Sequence, residues 1–178
     1  MGDPLVWRLV GYRALYVMAV LAVAVALLLP LGEGAGRLPG PDVILALTIA
    51  WAMRQPGHVP IVLLAVTLLI ADLLLMRPPG LMAVIVVLGV EVIRAREESW
   101  RDVQFMADWA VAAALITAIF VINAICLAIF LVPQPSLGQT LIRLVLTVMI
   151  YPAAMGAVLY IFGVRHVSGR PGTAGARS

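Results

Sequence analysis

Apolar side chains fill this chain in six long runs, and the polar residues gather between them. The runs cover about Tyr12–Leu31, Val43–Met53, Val59–Met76, Leu81–Ile93, Phe105–Val132 and Leu137–Val164. Turn and charge signals mark their borders: Pro41-Asp42, Arg54-Gln55-Pro56, Arg77-Pro78-Pro79-Gly80, Arg94-Ala95-Arg96-Glu97-Glu98 and Pro133-Gln134-Pro135. Periodicity does not separate helix from strand within runs that are apolar all round, but the surrounding medium does. In hydrocarbon every backbone polar group must be satisfied internally, which leaves helices or closed barrels. Barrel strands alternate apolar and polar residues over about ten positions, and these runs do not alternate. The pattern predicts an all-α, polytopic membrane protein, a six-helix transmembrane bundle. Residues 1–167 form one transmembrane domain in this reading, and the small, polar segment 168–178 is a disordered tail.

Two runs are short. The second and fourth offer about 11–14 residues against the roughly 20 that a crossing helix needs. They cross if neighbours shield their ends or the bilayer thins, or they form re-entrant arms; crossing is the preferred reading. The first run follows Arg8 and Arg13. It exceeds the core of about 7–15 residues of a signal peptide, and Gly32–Gly36 is a poor cleavage signal, so a retained helix is expected.

Composition agrees with the pattern. Of 178 residues, 63% are hydrophobic and 12% charged, against about half and a quarter in soluble domains. That leaves too little polar surface to coat a water-soluble globule. All 12 basic residues are Arg. They are spread over separate loops and do not form the clustered face that nucleic acid requires. Their placement sets an orientation. With six crossings, Arg8, Arg13, Arg54, Arg94, Arg96, Arg101, Arg165, Arg170 and Arg177 fall on one side, and Arg37 and Arg77 on the other. The Arg-rich side is cytoplasmic, with both termini. Re-entrant short runs would swap Arg54 and Arg77 and leave the balance unchanged. Cys126 is the only cysteine, so no internal disulfide forms.

Catalytic constellations are thin. There is no His/Cys/Asp/Glu cluster at metal spacing, His58 and His166 lie in a loop and the tail, and no serine sits in a nucleophile elbow. No enzyme activity and no cofactor are expected. Polar groups at membrane depth stand out instead. Asp72 lies near the end of the third run and Arg143 about two turns into the sixth. An unpaired carboxylate there costs about 2.5–3.5 kcal/mol. With Asp42 and Arg77 they form a candidate ionic cluster in the outer half, read either as a structural pair of Asp72 with Arg143 locking helices three and six, or as a pathway or partner contact. Asp42 is also a ready N-cap for the second helix. Asn123 and Tyr151-Pro152 sit mid-depth. Pro152 removes an amide donor and frees a carbonyl, which Asn123 is placed to bond. Glu91 and Asp108 are expected to pair with Arg94, Arg96 or Arg101. Trp51, Trp100, Trp109, Tyr12 and Tyr16 fall at run ends, as in an aromatic interface belt. Ala22/Ala26, Ala110/Ala114/Ala118 and Ala153/Ala157 offer small faces for close helix packing.

The stretch Pro41-Asp-Val-Ile-Leu-Ala-Leu-Thr-Ile-Ala-Trp51, then Arg54-Gln-Pro-Gly-His-Val-Pro60, then Ala71-Asp-Leu-Leu-Leu-Met-Arg-Pro-Pro-Gly-Leu81 resembles the MreD family of bacterial rod-shape-determining membrane proteins, its alphaproteobacterial branch in particular. Val132-Pro-Gln-Pro-Ser-Leu-Gly138 and Tyr151-Pro152 are similar to that branch too, and the likeness runs from Arg8 to about Val164. Asp72-Leu73 and Gly80-Leu81 match the family's Asp-Leu pair and its glycine-containing turn; the glycines that many members carry before that Asp are absent from Val66 to Ala71. The resemblance implies a six-helix inner-membrane protein similar in fold to the substrate-binding subunits of energy-coupling-factor vitamin transporters. It implies a non-enzymatic scaffold of the cell-elongation machinery that binds MreC and supports peptidoglycan synthesis and rod shape. MreB, the RodA glycosyltransferase and a class B penicillin-binding protein work beside it. The competing expectation is a solute-binding transporter subunit, with a polar pocket lined by Asn123 and Tyr151; a membrane enzyme acting on lipid-linked wall precursors, built on Asp72 and Arg143, comes third.

Overall fold

The computed structural model describes residues 4–29, 39–54, 59–95 and 105–161. All regular structure among them is helical: α1 (Pro4–Leu28), α2 (Val43–Arg54), α3 (Ile61–Leu74), α4 (Leu81–Ala95), α5 (Phe105–Ile129) and α6 (Leu137–Gly156), which runs on into a π-helical turn, Ala157–Ile161. Each apolar run has become one helix. The largest boundary correction is α1, which starts at Pro4, about two turns before the apolar run. Hydropathy marks the stretch suited to lipid; a helix continues past it, and proline is favoured at a first helical position. The expectations for His58, Trp100, Arg37, Arg96, Arg101, His166, the end of the sixth run and the tail lie outside the described residues.

Three stretches, Leu9–Leu28, Met106–Ile129 and Leu137–Tyr160, are long and apolar enough to cross a membrane. The chain is a membrane protein. Helices α2, α3 and α4 have 12, 14 and 15 residues. At 1.5 Å per residue they span only about 18–23 Å, short of the roughly 30 Å hydrocarbon core.

The shortest helix is the centre of the bundle. Every residue of α2 from Ile44 to Ala52 is buried, with α1, α4, α5 and α6 packed around it. A helix apolar all round belongs inside. Tyr16 of α1 meets Trp51 edge to face, ring centroids 5.6 Å apart, and its hydroxyl lies 3.3 Å from Thr48 Oγ1. Both rings are fully buried, which corrects the interface-belt reading for Tyr16 and Trp51. Position along a helix places an aromatic residue in depth, but its face decides whether it meets lipid or core.

The alanine faces are not what packs the bundle itself: Ala22, Ala26, Ala110, Ala114, Ala118 and Ala153 are exposed and Ala157 is half-buried, whereas Ala24, Ala112 and Ala154 are buried. Close approach occurs instead at Gly89 of α4, where an added Cβ would lie 3.0 Å from Leu115 Cδ1 and 3.4 Å from Ile119 Cδ1 of α5.

Polar contacts fix the helix directions. The start of α2 meets the second and third turns of α6 through Asp42, Arg143 and Thr147. Its end meets the end of α6 through Arg54 and Met155, so these two run parallel. Arg54 also pairs with Asp108 at the start of α5, and Arg77 beyond α3 returns to Asp42. Arg94 at the end of α4 donates to the Val59 carbonyl before α3. Consecutive helices from α2 to α6 therefore alternate in direction. Arg54 and Arg77 stand at opposite ends of α2, about 18 Å apart along its axis.

Candidate functional site

The ionic residues sort into two clamps, one at each end of α2. At the Arg54 end, Nη2 of Arg54 lies 3.2 Å from Asp108 Oδ2 and donates to Met155 Sδ at 3.1 Å. Asp108 thus pairs with Arg54, a partner outside the expected set of Arg94, Arg96 and Arg101, of which Arg96 and Arg101 lie outside the described residues. Antiparallel packing puts the start of α5 beside the end of α2, a contact that sequence separation does not show. Glu91 pairs with Arg94 as expected, at 2.6 Å and one helical turn apart.

At the other end Asp42 is buried, and its Oδ2 lies 3.0 Å from both Arg77 Nη1 and Arg143 Nη2. Its Oδ1 accepts the Leu45 amide at 3.3 Å, the N-cap that the Pro41-Asp42 signal predicts. The Asp42 amide donates to Thr147 Oγ1 at 2.9 Å, and that hydroxyl donates to the Arg143 carbonyl at 2.7 Å. One carboxylate ties α2, α6 and the α3–α4 connection together. Thr147, fully buried in this network, was missed from sequence; a lone threonine in an apolar run gives no signal.

Asp72 does not pair with Arg143. Its Oδ2 accepts the Ala83 amide at 3.2 Å, a free donor of the first turn of α4. A buried carboxylate is stabilised there by the unsatisfied amides and the positive end of the helix dipole. The expected α3–α6 lock is therefore an α3–α4 cap, and Asp42 takes the role assigned to Asp72. Both carboxylates sit at one end of the bundle, and one-dimensional depth does not tell which reaches the arginine.

The Pro152 expectation is half corrected. Proline lacks the amide that would bond the Val148 carbonyl, and α6 stays α-helical through it. The freed carbonyl is satisfied by Trp109 Nε1 at 3.1 Å, not by Asn123. The hydroxyl of Tyr151 donates to Met53 Sδ at 3.1 Å, which places this fully buried side chain against α2.

Asn123 instead lines a cleft of about 340 Å³ at the Asp42 end, with Asp42, Arg77 and Arg143. The rest of its wall is mainly apolar, from Met76, Leu81 and Met82 on one side to Leu127, Val132 and Pro133 on the other. Two matching helix ends build it. After α3, the Met76 amide bonds the Leu73 carbonyl and the Arg77 amide bonds Asp72; after α5, the Leu131 amide bonds Ala128 and Val132 bonds Leu127. Both are Schellman turns. Their left-handed position, normally glycine, holds Met76 (φ 51°) and Leu131 (φ 54°). A left-handed residue with a Cβ costs about 1–2 kcal/mol. Proline follows each turn and stops the helix, and the first turn projects Arg77 onto Asp42.

Of the sequence candidates, Asp42, Arg77, Arg143 and Asn123 come together at the cleft. Asp72 lies just behind it on the start of α4, while Tyr151 and Pro152 belong to the interior of the bundle. No family model, curated protein or solved structure matches the chain.

Proposed function

We propose that this chain is a multi-pass scaffold of the bacterial inner membrane, of the MreD type, which binds MreC and supports peptidoglycan synthesis by the cell-elongation complex. The observation that carries this reading is the ordered likeness running from Arg8 to about Val164. The ionic side chains support it: among the described residues they tie the chain's own helices together. In this reading the Arg54 end, which alternating helix directions set on the same side as Arg94, faces the cytoplasm, and the Asp42 end faces outward. MreB then works on the Arg54 side, and RodA and the class B penicillin-binding protein lie beside the scaffold. Leu137, Leu141 and Val145 form an exposed apolar ridge on α6, and a partner's transmembrane helix packs on it in this reading.

The test is affinity purification of the tagged full chain in mild detergent, with mass spectrometry of what accompanies it. MreC is expected in near-equal amount, and Leu141→Trp with Val145→Trp is expected to release it while the chain stays folded. Recovery of the chain alone, or with an ATPase pair and a coupling subunit, counts against the scaffold. The second outcome would favour the solute-binding subunit of a vitamin-type transporter. One observation speaks for that alternative: the cleft holding Asp42, Arg77, Asn123 and Arg143.

A further inference from the structure

The Asp42 clamp has more donors than its carboxylate can use. Each guanidinium presents five N–H groups, yet among the described residues both side chains bond only to Asp42 Oδ2. The second oxygen of Asp42 is taken by the Leu45 amide. Arg143 Nε is buried with no hydrogen-bond partner among the described residues. The other nearby carboxylate, Asp72, is turned to the Ala83 amide. Two cations share one carboxylate, with the Asp72 carboxylate behind it within electrostatic reach of Arg77, so the charges balance formally while the N–H donors outnumber the acceptors, and both arginines line the cleft with the Asn123 amide.

The depth of the site matters as much as its unused donors. Arg143 is six residues inside the start of α6, and Asn123 six before the end of α5, about 9 Å from either helix end. That lies just beneath the boundary of the hydrocarbon, within reach of arginine side chains that extend toward the headgroups. Met76, Leu81, Met82 and Leu127 supply the apolar part of the wall. A ligand that satisfies both halves is anionic at one end and apolar at the other.

We propose that this cleft binds the phosphate headgroup of an anionic membrane lipid, gripped by Arg77 and Arg143 with Asn123 beside them, its glycerol and upper chain against the methionine and leucine wall. Guanidinium forks suit phosphate oxygens because they donate in parallel pairs. The site would also satisfy the free donors of the clamp.

The test uses the full chain alone, delipidated in mild detergent, so it reads independently of any partner protein. Native mass spectrometry measures retention of phosphatidylglycerol against phosphatidylcholine. One phosphatidylglycerol per chain is expected, with about tenfold preference, the size of one charge-assisted contact. Arg143→Lys keeps the charge and loses the fork, and Met82→Trp fills the cleft while leaving every ion pair in place. Each should bring the preference close to unity with the thermal transition retained. Equal retention of the two lipids by the parent chain overturns the proposal, as does a preference that survives both substitutions. Inorganic phosphate provides a third arm. If millimolar phosphate displaces the lipid and protects the chain as well by itself, the site serves a soluble anion and the lipid assignment is wrong.

Discussion

Asp42 is the residue on which the bundle should be most sensitive, and Asp42→Asn isolates its charge. Asparagine is nearly isosteric and keeps a side-chain oxygen for the Leu45 amide, so the N-cap of α2 survives. What is lost is the negative charge between two guanidiniums at 3.0 Å. Removing one partner of a fully buried pair costs about 3–5 kcal/mol. Here the Arg77 and Arg143 side chains are 22% and 34% exposed, so solvent in the cleft takes up part of the orphaned charge. The expected loss is about 2 kcal/mol, below that range because of the screening. Asp42→Ala also removes the cap and should lose about 1 kcal/mol more. The assay is helicity of the purified chain as SDS replaces a mild detergent, at fixed protein and total detergent. Arg143→Gln supplies the other side of a double-mutant cycle, and it should cost less by about 1–2 kcal/mol when Asp42 is already Asn. An Asp42→Asn variant as stable as the parent, or strict additivity in the cycle, would refute the clamp.

Four further outcomes follow from the geometry. Trp109→Phe should destabilise by about 1 kcal/mol by leaving the Val148 carbonyl without its donor; Pro152→Ala restores an amide at that place, so Trp109→Phe should cost less in that background in the same SDS assay. Asp72→Leu should cost about 1–3 kcal/mol by stranding the Ala83 amide, with Asp72→Asn milder, and hydrogen exchange should show the first turn of α4 loosened before the rest. Met76→Gly should be neutral or stabilising by up to about 1 kcal/mol, because φ 51° carries a penalty for any residue with a Cβ. Gly89→Leu should lose about 1–3 kcal/mol through overpacking against Leu115 and Ile119, whereas Gly89→Ala needs only a small shift of two flexible side-chain ends.

The fold was legible because hydrocarbon leaves few options. Once a run is apolar and not alternating, backbone satisfaction makes it a helix, and turn residues such as Arg77-Pro78-Pro79-Gly80 set its ends. Asp42 was legible as a cap for the same local reason, since a cap depends on residues three apart. Partner choice was not legible. Which of Asp42 and Asp72 meets Arg143, and whether Asp108 meets Arg54 or Arg94, depends on helix rotation and on which helices neighbour one another. Burial failed for a related reason. Tyr16, Trp51 and the alanine stripes were read by position along the chain, while the bundle sorts them by face. The freed Val148 carbonyl was foreseen, but its donor came from a tryptophan that sequence position had assigned to the interface.

The cleft itself follows from a mismatch of lengths. At the Arg54 end, α5 begins within one turn of the Asp108 contact, about 4–5 Å beyond it. At the Asp42 end, α5 continues about 9 Å past Asn123, and α6 begins about 9 Å before Arg143. The excess length of α5 thus lies at the Asp42 end, where α6 overhangs as well, above the short core of α2, α3 and α4. A 12-residue helix at the centre of a membrane protein has its polar ends inside the hydrocarbon, and each end needs a counter-charge brought to it by a longer neighbour. At the Arg54 end one aspartate supplies that need. At the Asp42 end two arginines converge on one carboxylate beneath the overhanging α5–α6 turn. The shortness of α2 therefore accounts for the clamp, for the hollow above it and for the unused guanidinium donors that face that hollow.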